Sequence, residues 1–176
     1  MLLAGCTNSS GPPTGAPPTA TIELSVRGNV LAAVGRPVTT PVDVEAGTTL
    51  SLTVRDIRVL DTCPGRGQPV QAPTFGQFVV IDVAAELAAE GGGDAARVPS
   101  YAGLGAERFG IVGPDGVAQE VTVTAASWAC FEDEELLPAF VDAGQRVSGL
   151  VALDSRTAHG TIVFIPGEGT GWEWDF

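Results

Sequence analysis

Catalysis near neutral pH draws on few residue types, and this sequence is short of most of them. His159 is the single histidine, placed in Thr157-Ala158-His159-Gly160 between two apolar stretches. A Ser-His-Asp triad needs that ring beside a serine, and no G-x-S-x-G elbow occurs. The nine basic residues are all arginine. Without lysine there is no Walker lysine, no Schiff-base amine and no lysine general base. One histidine and three cysteines are also too few for a structural zinc site once the cysteines have other work. The 21 acids remain. A glycosidase-type hydrolase needs only two carboxyl groups about 5 to 9.5 Å apart, which makes a carboxylate-based extracellular hydrolase the enzymatic alternative. No residue is assigned a catalytic role, and no cofactor is expected.

Three further clusters carry possible binding chemistry. Gly167-Glu168-Gly169-Thr170-Gly171 has the spacing of a phosphate loop, but it runs into Trp172 and not into a helix whose N-terminus would hold an anion. Glu132-Asp133-Glu134-Glu135 is the densest run of acids. Ca²⁺ takes six to eight oxygens, yet consecutive side chains point apart and EF-hand spacing is missing. A solvated loop is the expected reading, with Ca²⁺ as the weaker one. Trp172, Trp174 and Phe176 alternate with Glu173 and Asp175, so the three rings share one face of a final strand. Such a face is either sandwich core or an exposed ledge for a sugar or protein partner, and these three residues are the candidate binding surface.

These residues need a scaffold, and composition bounds it. A chain of 176 residues has room for one domain of ordinary size. Hydrophobic residues make up 44% and mean hydropathy is +0.24, enough for a core and not the signature of disorder. Gly (23) and Pro (13) together are about one residue in five, against a background near ~12%. Such frequent punctuation favours many short elements over long helices. The net charge of -12 and pI near 4.2 repel phosphate backbones, so no nucleic-acid partner is expected.

The start of the chain gives an address. Leu3-Ala4-Gly5-Cys6 resembles the lipobox of bacterial lipoproteins, in which the signal is cut before a cysteine that then carries acyl chains. That resemblance implies lipidation at Cys6, a remnant of signal peptide over residues 1–5, and a basic and apolar leader upstream of Met1. The chains together anchor firmly where one alone is marginal. Residues 6–20 are rich in Pro, Gly, Ser and Thr and read as a linker to a single domain over 21–176. The expected location is the outer face of a cell membrane, or the medium if Cys6 carries no lipid.

From Thr21 onward the pattern is period two. Leu50, Leu52 and Val54 share one face; the phase then slips to Ile57 and Val59, placing a β-bulge near Arg55-Asp56. Gln77 to Leu87 alternates throughout, and its alanine-rich end is read as strand despite helix propensity. Arg108 to Val112 and Val117 to Thr124 flank the turn sequence Gly113-Pro114-Asp115-Gly116. Ile22 to Val26, Val30 to Val34, Val147 to Leu153, Thr161 to Ile165 and the last five residues add further strands. Roughly seven to nine short strands predict an all-β, immunoglobulin-like antiparallel sandwich.

Three of these segments carry a family resemblance. Phe75-Gly76-Gln77-Phe78-Val79-Val80-Ile81-Asp82-Val83, then Arg108 through Gly116, then Ala143-Gly144-Gln145-Arg146-Val147-Ser148-Gly149-Leu150-Val151-Ala152-Leu153, resemble the telokin-like, immunoglobulin-type domain of unknown function. That domain occurs in secreted proteins and lipoproteins of Gram-positive bacteria, including small immunoprotective antigens. The match covers roughly residues 45 to 176. Ala143 stands where the family prefers Pro, and the Asn that often follows the first strand is missing. These motifs are structural, so the resemblance implies a fold and an address but no reaction.

Setting Cys6 aside as the lipid anchor leaves Cys63 and Cys130, an even pair for an oxidising compartment. Each follows an expected strand, and the expectation is a disulfide between them; two free thiols, one of them buried, are the alternative. The function that follows is a non-catalytic cell-surface lipoprotein whose module binds an envelope protein or glycan, with a structural part in an envelope complex as a further alternative.

Overall fold

The computed structural model describes residues 22–43, 48–67, 70–89, 101–167 and 170–176. Cys6, the signal remnant, the 6–20 linker and residues 168–169 of the glycine-rich run lie outside the described residues.

The period-two segments build two facing sheets. One has the order β2 (Pro37–Asp43), β3 (Thr48–Leu60), β4 (Gln77–Ala89), β8 (Arg146–Ser155). The other has the order β1 (Val30–Leu31), β10 (Trp172–Asp175), β9 (Thr161–Phe164), β6 (Phe109–Val112). A third, small sheet pairs β5 (Tyr101–Gly103) with β7 (Phe140–Asp142). Among these strands the pairings are antiparallel except β1 with β10, which is parallel. The result is the expected all-β sandwich.

Register follows the apolar phase. Leu50 faces Leu87, Leu52 faces Ala85 and Val54 faces Val83; the ladder then skips one residue and resumes with Asp56 opposite Asp82 and Ile57 opposite Ile81. The bulge sits at Arg55, as the phase slip predicts. It keeps Ile57 and Val59 turned toward the core, where one unbulged strand would put them in solvent. The alanine-rich end of β4 is strand because its Leu87 and the cross-strand partner Leu50 are wholly buried, which outweighs local propensity. From the opposite sheet, Phe109, Ile111, Ile162, Phe164, Trp172 and Trp174 close the same core. The Phe109 and Phe164 rings lie 4.7 Å apart, and Phe164 stacks on Trp172 at 6.0 Å.

Three sequence expectations are corrected. Val117 to Thr124 is not a strand: Ala118 alone bridges to Val112, and the segment leads into one helical turn, α1 (Ala125–Trp128). Thr124 Oγ1 accepts from the Ser127 amide, and Ser127 Oγ accepts from the Thr124 amide. This reciprocal cap starts a helix where alternation suggested extension. Ile22 to Val26 is a turn flank in which only Leu24 bridges, to Val30, and Val26 is fully exposed. Val30 to Val34 shrinks to the two residues of β1. Pro37–Asp43 is a strand even though two prolines interrupt it; it is the edge of its sheet, the position that tolerates missing donors.

Candidate functional site

The outer face of the β2–β3–β4–β8 sheet carries a second, smaller core. Phe78, Val80 and Ala152 project from β4 and β8 and are covered by Cys63, Cys130 and Phe131 from two connecting segments. Cys63 and Cys130 form the expected disulfide, with Cα atoms 5.3 Å apart. Cys130 follows α1 and not a strand. Backbone bonds align the two segments: the Gly65 amide donates to Cys130 O at 3.0 Å and the Arg66 amide to Ala129 O at 2.6 Å. Asp154 supports them from below. Its fully buried carboxylate accepts from the Thr74 amide (2.7 Å), the Phe75 amide (2.9 Å) and Thr124 Oγ1 (2.8 Å).

This platform aims one aromatic residue at solvent. The cap that turns Ser127 inward leaves Trp128, at the end of α1, 60% exposed. The Arg66 guanidinium lies 4.1 Å from the centre of its ring, bonded through Nε to Phe131 O (2.9 Å) and paired through Nη1 with Asp133 (2.8 Å). The ring is therefore braced and not free to sweep. Trp128 borders a groove of about 520 Å³, which runs between Glu107 on the 3₁₀ turn Ala106–Arg108 and the chain at Leu136–Ala139, with Val123 and Ala152 also lining it. Arg66 is not among the groove's lining residues. At the Ala139 end the groove meets the small sheet. There the Leu104 amide donates to Ala139 O at 2.7 Å, and Tyr101 and Phe140 stack edge-to-face at 5.3 Å, both more than half exposed.

The residues singled out from sequence go elsewhere. Trp172 and Trp174 are buried and Phe176 is half-buried, its ring close over Gly160. The aromatic-ledge reading of these three is therefore corrected: their face of β10 is the one that closes the sandwich. His159 is exposed in the turn between β8 and β9. The acids of Glu132–Glu135 disperse to different partners. Glu132 Oε1 takes the Gly67 amide (2.7 Å), Asp133 pairs with Arg66, and Glu135 Oε2 takes the Glu132 amide (3.1 Å). Among the described residues no group of three or more His, Cys, Asp or Glu side chains is arranged to hold a metal ion.

The opposite face of β10 holds the strongest electrostatic feature. Glu173 is 2% exposed and accepts from Ser25 Oγ (3.0 Å), Asn29 Nδ2 (2.7 Å), Arg27 Nε (2.9 Å) and Arg27 Nη2 (2.6 Å). Burial pushes its carboxyl upward, but the bonds from Arg27, Asn29 and Ser25 and the Arg27 charge outweigh this and hold it below the usual carboxylate range. That direction is opposite to what a general acid needs. A shallower groove of about 460 Å³ flanks the pair, bordered by Arg27, Arg108 and Gln119 over the outer face of β6.

No protein-family model matches the chain, and no curated protein matches it. A solved structure does: a secreted protein of Mycobacterium tuberculosis, MPT63, with a TM-score of 0.55 at 16% identity, covering 84% of this chain and 98% of that one. At that identity the likeness is one of fold, and the fold shared is the immunoglobulin-like β-sandwich.

Proposed function

We propose that the chain is an extracellular, non-catalytic binding module of the telokin-like lipoprotein kind, held at a membrane by acylated Cys6 and taking its ligand at the Trp128 groove. The observation that carries the reading is Trp128 itself: a large ring braced by Arg66 and left open beside an apolar groove. An aromatic residue so placed gains free energy only when something covers it. The extracellular address is supported by the secreted structural neighbour and by the Cys63–Cys130 disulfide, a bond kept in oxidising compartments. No helix among the described residues is long and apolar enough to cross a membrane.

Acrylamide quenching of tryptophan fluorescence tests the groove, because Trp172 and Trp174 are buried and Trp128 is not. Envelope protein and envelope polysaccharide from the producing cells, added separately, are the ligand sources. Protection of Trp128 by either fraction is the expected result; equal quenching with and without both ends the reading. Tethering is tested by expressing the protein behind a lipoprotein leader and fractionating the cells. Cys6→Ala is expected to move the protein from the membrane pellet to the medium, and an unchanged distribution refutes the anchor.

A further inference from the structure

Resting on the reading of the Trp128 groove as a ligand site, we propose that its ligand is an extended, basic segment of a partner protein. An apolar side chain of that segment would lie in the groove, and its cationic side chains would meet acids along a strip running from Trp128 to Tyr101 and Phe140. The strip is continuous: the groove ends at Ala139, and the next residue, Phe140, begins the small sheet, where it packs on Tyr101. Exposed Trp, Tyr and Phe on one strip are the residue types that anchor protein partners.

Charge selects among occupants. Glu107 beside the groove, Glu134 on the acidic turn and Asp142 opposite Tyr101 are exposed and form no ion pair among the described residues. Asp133, paired with Arg66, is still largely exposed. Against these four carboxylates stand two cations, Arg66, spent on Asp133 and the Trp128 ring, and Arg108, whose guanidinium lies against Gly103, so the strip keeps a net negative charge. An anionic polymer is repelled, and a second copy of a chain with net charge -12 repels itself. A neutral glycan fits the Trp128 ring and finds acceptors in Glu107 and Asp133 at the groove's rim, but not on its floor. Leu136, Leu137 and Val123 offer no polar side-chain atoms, and the Ser127 hydroxyl already donates to Thr124 O at 3.1 Å. Sugar hydroxyls buried there would lose water without replacement. An aliphatic side chain gains from the same burial, and flanking Arg or Lys gains from the unpaired acids.

The test is selection of a random peptide library, displayed on phage, against the intact protein. Enriched peptides are expected to place Arg or Lys on both sides of an apolar residue. Their affinity is expected to fall about 10- to 30-fold in Trp128→Ala, the range of an aromatic anchor, and several-fold in Glu107→Gln and with added salt. His159→Ala, in a distant turn, should bind as wild type. Phe140→Ser provides a second variant should Trp128→Ala lose the disulfide-linked fold, as read by circular dichroism. Neutral or acidic consensus peptides, no enrichment, or binding indifferent to both aromatic substitutions would overturn the proposal. Titration with cellohexaose separates the two levels. If this neutral sugar shields Trp128 and no peptide does, the peptide assignment falls and the groove stands; if envelope fractions and all probes leave Trp128 open, both fall.

Discussion

Arg27 and Glu173 meet across 146 positions of sequence through two hydrogen bonds, and they join the first described turn of the chain to its last strand. The same strand is held by the Gly171 amide donating to Asn29 Oδ1 at 2.9 Å and by the Ala32 amide donating to Glu173 O at 2.8 Å. The two partners are unequally buried, the Arg27 side chain 32% exposed and the Glu173 side chain 1%. Arg27→Ala therefore strands a buried carboxylate, whereas Glu173→Gln leaves a guanidinium that reaches water. We expect losses of about 2–4 kcal/mol and about 1–2 kcal/mol respectively, in that order, by urea unfolding.

The pair also sets an acid limit. Because the folded carboxyl of Glu173 is held low, its stabilisation is complete above the unfolded value of about 4.3 and is lost as pH falls through the lower folded value. Tm of the wild type should therefore drop more steeply than that of Glu173→Gln on acidification below about pH 4. Parallel curves would show that the pair does not govern the acid limb.

The Cys63–Cys130 bond closes a loop of 67 positions, for which the chain-entropy relation gives about 4 kcal/mol. Replacing both cysteines by Ala should cost close to that in urea unfolding. Hydrogen exchange should accelerate first at residues 63–66 and 129–132, which the bond holds against the sheet, and only later in β4 and β8. A thiol titration of the denatured, unreduced Cys6→Ala protein should find no free thiol. Two free thiols would dismiss the bond.

The sandwich was legible where one face of a strand decides its fate. Leu50, Leu52 and Val54 alternate because the core takes every second residue, and the slip at Arg55 announces the bulge in the one-dimensional pattern. The same rule misled at Val117–Thr124, where Val117 and Val121 alternate but are exposed. The reciprocal hydrogen bonds of Thr124 and Ser127 decide that segment, and Thr-Ala-Ala-Ser was the available signal. The site was less legible for a related reason. Whether a tryptophan is core or surface depends on what faces it. Trp172 and Trp174 have β1 and β9 beside them and belong to the core between the sheets; Trp128 has Arg66 over its ring, brought by a disulfide that joins distant segments. Tyr101 and Phe140 meet only because β5 and β7 pair across 36 intervening positions, a long-range contact that no local spacing encodes.

Gly149 in β8 sits where the groove wall crosses the sheet. A Cβ there would stand 2.5 Å from Leu136 C and Leu137 N, both backbone atoms. Gly149→Ala must therefore push the 136–137 segment outward, breaking the bond from the Leu137 amide to Leu150 O. We expect a loss of about 1–3 kcal/mol and increased acrylamide access around Trp128. Gly110 in β6 is the contrast, since nothing lies within 4 Å of its added Cβ. Gly110→Ala should be neutral or gain about 0.5 kcal/mol from reduced unfolded-chain freedom. Equal losses at the two sites would refute the steric account.

Asp154 supports the platform through charge and acceptor number together. Its two oxygens take three donors, Thr74 N, Phe75 N and Thr124 Oγ1, at full burial. Asp154→Asn keeps the size but leaves one carbonyl oxygen, and its amide nitrogen would face groups that themselves donate. At least one backbone amide then loses its partner, Phe75 N if the oxygen takes the Oδ2 place and Thr74 N if it takes the Oδ1 place, and in the second case the Thr124 hydroxyl at the cap of α1 must turn from donor to acceptor. We expect a cost of about 2–3 kcal/mol and looser packing of α1 against β8, read as faster amide exchange at Ser127 and Trp128. Asp154→Ala should cost no less, because water does not replace a carboxylate at a site closed by the disulfide-linked segments. If Asp154→Asn unfolds at the wild-type urea midpoint with unchanged exchange at Ser127, the carboxylate is not what holds α1 in place, and the positioning of Trp128 must come from the disulfide alone.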